Sequence, residues 1–260
     1  MALALGRHPM QFLSERILDG GVVEREFLLD DFPGILWTPP AASPAAPVPL
    51  ILMGQPGGIG LRRMHPRLAS RAQSSAAQGF ASVAIEAPGA GERPPLPGAE
   101  QVRADLRRVL GAGERPSDDL IDRLILPLVE QAVPEWQRTL DAVLELPEID
   151  DRVGFSGGVI AVATRLAVVD SRIRAAGLFA GSYVPRVTMD EARRLTIPLH
   201  VLLQWDDEGN DRGMALELFD AFGSEEKTLY ANMGGHTGVP RFVGEDAARF
   251  FSRHLGAPEG

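Results

Sequence analysis

The sequence contains no cysteine among its 260 residues. This absence excludes disulfide bonds, a cysteine-based zinc site and a cysteine nucleophile. Long apolar runs are also missing, and none approaches the roughly 18 residues that a membrane-spanning helix needs. Residues 1–12 do not match a secretory signal peptide, because Gly6, Arg7, His8 and Pro9 interrupt their apolar stretch. We therefore expect no membrane association and a cytoplasmic location.

Concentrated positive charge is absent as well. The 26 basic residues are outnumbered by 35 acidic ones, which gives a formal net charge of -9. Proteins that bind a phosphate backbone carry a basic patch, whereas here no run of Lys or Arg occurs. We expect no nucleic-acid partner, and the sequence carries no signal for an oligomeric state.

What is present is a regular alternation of apolar runs with helix-compatible segments. The 45% apolar content suffices for one domain over residues 1–260. Runs 22–29 and 34–38 predict an N-terminal antiparallel hairpin. Later strands are predicted at 48–53, 80–85, up to Phe155, 177–179, 199–203 and 227–231, and helices at 67–78, 134–146, 159–169 and 244–255. The strand that ends at Phe155 is expected to be short, because the charged residues 150–152 suit a buried parallel strand poorly. This alternation predicts a mostly parallel sheet with helices on both faces.

Residues 100–133 separate two of these strands and are predicted to form a small helical lid. Helical periodicity occurs at 102–110 and again at 120–133. Pro134 is expected at the first turn of the following helix, where proline is tolerated. The apolar side chains that could roof an acyl pocket, or instead pack on the sheet, are Leu106, Leu110, Leu124, Leu126, Leu128 and Val129.

A candidate nucleophile lies where a predicted strand meets a predicted helix. The sequence Gly154-Phe155-Ser156-Gly157-Gly158 places small residues on both sides of Ser156 at two-residue spacing. A nucleophile at a sharp strand-to-helix turn needs this spacing, since bulky neighbours would clash. The alternative is a helix N-cap serine in a tight loop. We favour the nucleophile, because a strand precedes the motif and an Ala/Val-rich helix follows it.

A serine hydroxyl needs a base, and five histidines are available. His236 follows the last predicted strand in a glycine loop and is the preferred base. His200 is expected inside a core strand, and His65 follows the first glycine turn, ahead of the serine in the chain. His8 and His254 lie in the N-terminal tail and on the last helix.

The base must be oriented by a carboxylate between serine and histidine in the chain. The segment after the strand at 199–203 offers Asp206, Asp207 and Asp211. Asp207 is our choice, with Asp206 and Asp211 as alternatives. A solvated acidic loop is the competing interpretation for each of them.

Together, the glycine turn after Met53, the turn 87–91, the motif around Ser156 and the Asp207/His236 combination resemble the α/β-hydrolase superfamily. The similarity spans residues 48–255 and is greatest to the dienelactone hydrolase and acyl-peptidase-like esterase branch. It implies cleavage of esters, thioesters, lactones or amides through an acyl-enzyme, without metal or organic cofactor. Ser156 would be the nucleophile, His236 the base and Asp207 the orienting acid.

The resemblance also implies an oxyanion hole, for which Gly157 would supply one backbone N–H. Pro56 has no N–H, so the second donor is expected from Gly57. Gln55 would shape the pocket or donate from its side chain. Ala90 stands where many relatives have a histidine, and together with Gln55 and Pro56 it departs from the usual pattern.

Three functions are therefore considered. The first is a serine hydrolase that acts on a small acyl substrate, most simply a carboxylic ester. The departures at Gln55 and Ala90 motivate a second, in which the same pocket performs elimination, C–C cleavage or cyclisation with His236 as base. The third is a non-catalytic binding protein of the same fold.

Overall fold

The computed structural model describes residues 10–240 and 242–256, so His8 lies outside the described residues. The strands are β1 (Gln11–Ile17), β2 (Val23–Leu29), β3 (Phe32–Thr38), β4 (Val48–Gly54), β5 (Ala81–Ile85), β6 (Ile149–Gly157), β7 (Ile173–Phe179), β8 (Leu199–Gln204) and β9 (Lys227–Asn232). The helices are α1 (Leu61–Ala76), α2 (Ala99–Gly111), α3 (Asp118–Val143), α4 (Ile160–Val169), α5 (Arg186–Ala192), α6 (Arg212–Ala221) and α7 (Phe242–Leu255).

The strands form one sheet in the order β1-β2-β3-β5-β4-β6-β7-β8-β9. Strands β1 to β3 are antiparallel, and β3 also pairs antiparallel with β5. All pairs from β5 through β4 to β9 are parallel. The predicted fold class, a mostly parallel sheet with an N-terminal antiparallel hairpin, is confirmed.

Apolar layers cover both faces of the sheet. All seven residues of β4 are buried, as expected for a central parallel strand. On one face, Phe155 packs edge-on against Trp136 of α3, with a centroid distance of 5.7 Å. On the other face, Met53 belongs to a core cluster with Leu68 of α1 and Phe251 of α7.

The structure corrects several predicted boundaries. Pro134 does not start a helix, because α3 runs unbroken from Asp118 to Val143 with Pro127 and Pro134 inside it. Strand β6 is not short, since it begins at Ile149 and includes the acidic residues expected to delay it. These charges are accommodated at the start of the strand, where Arg174 of β7 lies 2.6 Å from Asp151. Strand β1 and helices α5 and α6 were not predicted.

Among residues 10–240 and 242–256, no helix is long and apolar enough to cross a membrane. The loops after the parallel strands all leave from one edge of the sheet. In open α/β sheets this carboxyl edge is where ligands bind.

Candidate active site

The loops after β8 and β9 bring His236 and Asp207 together at the carboxyl edge. His236 Nδ1 lies 2.6 Å from Asp207 Oδ2. The other carboxylate oxygen of Asp207 accepts a 3.0 Å hydrogen bond from the backbone N–H of Gly209. Asp207 is buried, so these contacts satisfy a carboxylate that would otherwise be costly to remove from water.

Hydrogen bonds to its backbone carbonyl oxygens hold the His236 loop in place. Gln204 Nε2 donates to the carbonyl oxygen of Gly235 at 3.1 Å, and the Asp206 N–H donates to the carbonyl oxygen of Gly234 at 3.1 Å. The His236 ring packs edge-on against Phe179 at a centroid distance of 5.1 Å. Its side chain is 51% exposed. A histidine fixed through Nδ1 with an accessible ring can accept a proton on Nε2.

The other two acidic candidates are placed differently. Asp206 is exposed on the turn. Asp211 caps α6, because its carboxylate accepts the N–H of Met214 at 3.2 Å, and it also lies 3.7 Å from Arg115. In the described part of the chain, neither forms a hydrogen bond or an ion pair with His236.

Ser156 lies within β6, opposite Met53 of β4 and Gly177 of β7. Its Oγ accepts a 3.1 Å hydrogen bond from Arg71 Nη2 on α1, and the same nitrogen donates to the Ser156 carbonyl oxygen at 3.0 Å. No hydrogen bond joins Ser156 to His236 within residues 10–240 and 242–256. The hydrogen bonds thus join the predicted base to the predicted acid, whereas the predicted nucleophile is bonded to Arg71.

Arg71, the partner of Ser156, was not predicted from the sequence, because it lies in an arginine-rich helix without any distinguishing motif. Burial lowers its pKa to about 10, and the charge of Arg67 acts in the same direction. The guanidinium is therefore protonated at neutral pH. Among the described residues Arg71 forms no ion pair, and its two acceptors on Ser156, the hydroxyl and the carbonyl oxygen, are uncharged.

The turn between β6 and α4 is built from two left-handed glycines. Gly157 and Gly158 have φ values of 78° and 73°. A Cβ on Gly158 would lie 2.8 Å from the Cα of Gly54, which requires glycine at this close approach of two strands. Val159 follows, with φ -77° and ψ 117°, as the N-cap of α4.

The turn after β4 contains the other predicted oxyanion residues. Gln55 is buried, and its Nε2 donates to the carbonyl oxygen of Ile85 at 2.6 Å. Gln55 therefore ties this turn to β5. Gly57 has more space around its Cα than Gly158 has. A Cβ on Gly57 would lie 3.4 Å from Leu128 Cδ2 and 3.8 Å from Val159 Cγ2.

A cavity of about 220 Å³ lies beside Gly57 and Val159, under α2 and α3. Leu124 and Leu128 of the predicted lid line it, as does Val102 of α2. Val129 instead packs in the core, and Leu110 is exposed. Arg103 also lines this cavity, and its charged guanidinium lies next to Gly58.

A larger groove of about 1200 Å³ lies near β1 to β3, and neither Ser156 nor His236 lines it. Burial raises the pKa of Glu86 in this groove, but its carboxylate accepts the N–H of Leu61 at 2.7 Å. Arg93 is likewise engaged, at 2.6 Å from Glu135. Glu86 and Arg93 are committed to structural contacts, so the part of the carboxyl edge that holds Asp207 and His236 is the better candidate site.

The remaining described histidines are located elsewhere. His65 Nε2 lies 2.9 Å from Glu24 Oε2, beside β1 to β3. His200 is buried in β8, as predicted, and burial lowers its pKa. His254 lies on α7, 3.2 Å from Glu226.

Comparison with known proteins gives structural neighbours only: no family model and no curated protein matches this sequence. A cold-adapted esterase from an Arctic intertidal metagenomic library, solved with bound PEG, has a TM-score of 0.72 at 25% identity, covering 93% of this chain and 97% of the esterase. An acetyl xylan esterase from Paenibacillus has a TM-score of 0.63 at 17% identity, with 95% and 88% covered.

A dienelactone hydrolase from Anabaena variabilis has a TM-score of 0.55 at 16% identity, with 95% of this chain and 100% of the hydrolase covered. These neighbours confirm the predicted α/β-hydrolase fold. They also agree with the resemblance to its dienelactone hydrolase and esterase branch.

Proposed function

We propose that this protein hydrolyses carboxylic esters at the carboxyl edge of its sheet, with His236 as general base and Asp207 as the acid that orients it. The observation that carries this proposal is the 2.6 Å contact between His236 Nδ1 and buried Asp207 Oδ2. The esterases among the structural neighbours support the reaction class. We also propose that the protein is cytoplasmic, as the sequence predicts.

The chemistry follows from the tautomer that this contact selects. A carboxylate at Nδ1 keeps the proton there and stabilises the imidazolium that forms when Nε2 accepts another proton. His236 can then remove a proton from the attacking group and return it to the leaving alcohol. The reaction needs no cofactor.

Backbone N–H groups are the proposed donors for the oxyanion of the tetrahedral intermediate. Gly57 borders the cavity, and the first turn of α4 presents N–H groups that have no acceptor within the helix. The sequence prediction adds Gly157 as a donor. Such donors stabilise charge that appears only in the transition state.

The nucleophile that the sequence predicts is Ser156, acting through an acyl-enzyme. In the structure this hydroxyl is bonded to Arg71 Nη2 at 3.1 Å. For the acyl-enzyme route, Ser156 Oγ must therefore lose its hydrogen bond from Arg71 and form one to His236. This assignment stays a prediction.

The cavity beside Gly57 indicates a small substrate. Its volume of about 220 Å³ lies below the range of roughly 300–1,000 Å³ usual for drug-sized ligands. Its lining by Val102, Leu124, Leu128 and Val159 is apolar. We therefore propose esters with short acyl groups as substrates.

The test is hydrolysis of p-nitrophenyl acetate, butyrate and octanoate and of a simple lactone by the purified protein. We expect the short esters to be turned over fastest, and His236→Ala to lower kcat/KM by about 10²- to 10⁴-fold, the usual contribution of a general base. His65→Ala is the matched control and should keep its turnover. Absence of turnover for every ester, or an active His236→Ala variant, would contradict the proposal.

A further inference from the structure

The apex of the turn between β6 and α4 is not Ser156. Strand β6 continues one residue beyond the serine, to Gly157, and α4 begins at Ile160. Val159 is thus the residue that directly precedes the helix. A nucleophile in this fold occupies the sharp strand-to-helix turn, with small residues two positions away on either side. Gly157 and Ala161 stand at that spacing around Val159.

The strand register separates Ser156 from the base. Ser156 lies opposite Gly177 of β7. The His236 ring packs on Phe179, two residues further along the same strand. At about 3.3 Å per residue, this places Phe179 some 7 Å beyond the level of Ser156, beside the end of the turn 157–159.

Ser156 also has a different partner. Both its hydroxyl and its carbonyl oxygen accept hydrogen bonds from Arg71 Nη2, at 3.1 and 3.0 Å. A protonated guanidinium cannot accept the hydroxyl proton. The contact joins α1 to β6, as expected of a structural serine.

Val159, in contrast, borders the cavity. Its Cγ2 lies 3.8 Å from the position of a Cβ on Gly57, and it lines the 220 Å³ cavity together with Leu128 and Ser182. The residue where a nucleophile would meet the substrate is therefore an aliphatic one.

We infer that Val159 fills the nucleophile position of the fold, that Ser156 is a structural residue held by Arg71, and that His236 activates water directly, without an acyl-enzyme. The inference rests on the proposed ester hydrolysis and deepens it. It makes the protein a hydrolase with a base and an acid but no covalent nucleophile.

The reaction balances with water as the only co-reactant. His236 Nε2 takes a proton from water while the water oxygen bonds to the ester carbonyl carbon and the C=O pair moves to oxygen. When the intermediate collapses, the bond to the alkoxy oxygen breaks and the imidazolium returns its proton to that oxygen. A carboxylic acid and an alcohol leave, and nothing is oxidised or reduced.

The first arm of the test is covalent labelling with a fluorophosphonate probe, followed by peptide mapping. The wild-type protein should not be labelled, whereas Val159→Ser should acquire a label at position 159. Val169→Ser, at the exposed far end of α4, is the matched control and should stay unlabelled. Labelling of Ser156 or Ser182 in the wild-type protein, or no labelling of Val159→Ser, would overturn the inference.

The second arm is turnover of p-nitrophenyl acetate by folded Ser156→Ala. We expect it to keep the wild-type kcat/KM, whereas His236→Ala should lose activity. Loss of turnover in both variants would overturn the inference and leave ester hydrolysis standing. If the wild-type protein hydrolyses no ester, the proposed function fails, while the labelling arm still decides which residue occupies the nucleophile position without depending on turnover.

Discussion

Two of the histidine–carboxylate contacts lie on opposite parts of the sheet and differ in how exposed the histidine is and in how many groups the carboxylate serves. At the carboxyl edge, His236 uses Nδ1 for Asp207, and half of its side chain is exposed. Beside β1 to β3, His65 Nε2 lies 2.9 Å from both Glu24 and Arg16. Glu24 also accepts the Trp37 Nε1–H at 2.7 Å and is almost completely buried.

The two contacts differ in how fully other groups engage the carboxylate, so a histidine beside a carboxylate does not by itself indicate a catalytic base. Glu24 is satisfied by three side chains, which suits a buried acid that joins strands to α1. Asp207 has one side-chain partner, His236, and each of the two histidines keeps one ring nitrogen without a hydrogen bond among the described residues. The His236 side chain is 51% exposed against 24% for His65, so its unbonded ring nitrogen is the more accessible of the two for proton exchange with a substrate.

The sharpest test of this comparison neutralises each carboxylate in turn. Asp207→Asn should lower kcat by about 10²- to 10⁴-fold, because an amide favours the wrong histidine tautomer. Glu24→Gln should leave kcat unchanged. Both are measured on p-nitrophenyl acetate with folded protein. Equal losses in the two variants would mean that the two regions are not functionally distinct.

A second test measures stability instead of turnover, and here the Glu24 contact is the one expected to matter. Glu24→Gln should lower the free energy of unfolding by about 1–3 kcal/mol, the cost of weakening hydrogen bonds at a buried charged group. Urea denaturation followed by circular dichroism gives the value, and Ser74→Ala on the exposed face of α1 is a control that should change little. An unchanged midpoint for Glu24→Gln would show that this cluster contributes nothing to stability.

A third test is the pH dependence of the stability difference between the wild-type protein and Glu24→Gln. Burial raises the pKa of Glu24, but hydrogen bonds from His65, Trp37 and Arg16 outweigh burial and the net shift is downward from 4.5. A carboxyl whose pKa is lower in the folded state stabilises the protein above its unfolded pKa, and this contribution is lost as the pH falls towards the folded pKa. The difference between wild type and Glu24→Gln should therefore be full at neutral pH and shrink below pH 4.5. A difference that grows on acidification would contradict this sign.

The smallest expected effect is a change in acyl-chain preference, which we expect the cavity beside Gly57 to set. Leu124→Ala enlarges it and should favour longer acyl chains by about 0.8 kcal/mol, or roughly fourfold in relative kcat/KM, for each methylene accommodated. Leu68→Ala, a core truncation on α1, should lower stability without changing chain-length preference. A shift in preference for Leu68→Ala alone would show that the cavity beside Gly57 is not the acyl site.

Much of the fold was predictable because local patterns report burial directly. The apolar runs at 48–53 and 80–85 correspond to β4 and β5, and the run 22–29 with 34–38 to the hairpin of β2 and β3. Where charge or proline opposed the local pattern, prediction failed. Pro134 lies inside α3 and Asp151 inside β6, because packing of the whole helix and pairing with β7 outweigh the local preference.

The candidate site was likewise predictable only in part from the sequence. The sequence alone determined that Asp207 and His236 follow consecutive parallel strands, and parallel strands deliver their following loops to one edge. Whether Ser156 faces Arg71 or His236 depends on where β6 ends and α4 begins, and a short glycine-rich motif is compatible with either register. That choice, the contact of His65 with Glu24 and the position of Val159 beside Gly57 were decided only by tertiary structure, because each depends on which distant side chains pack together.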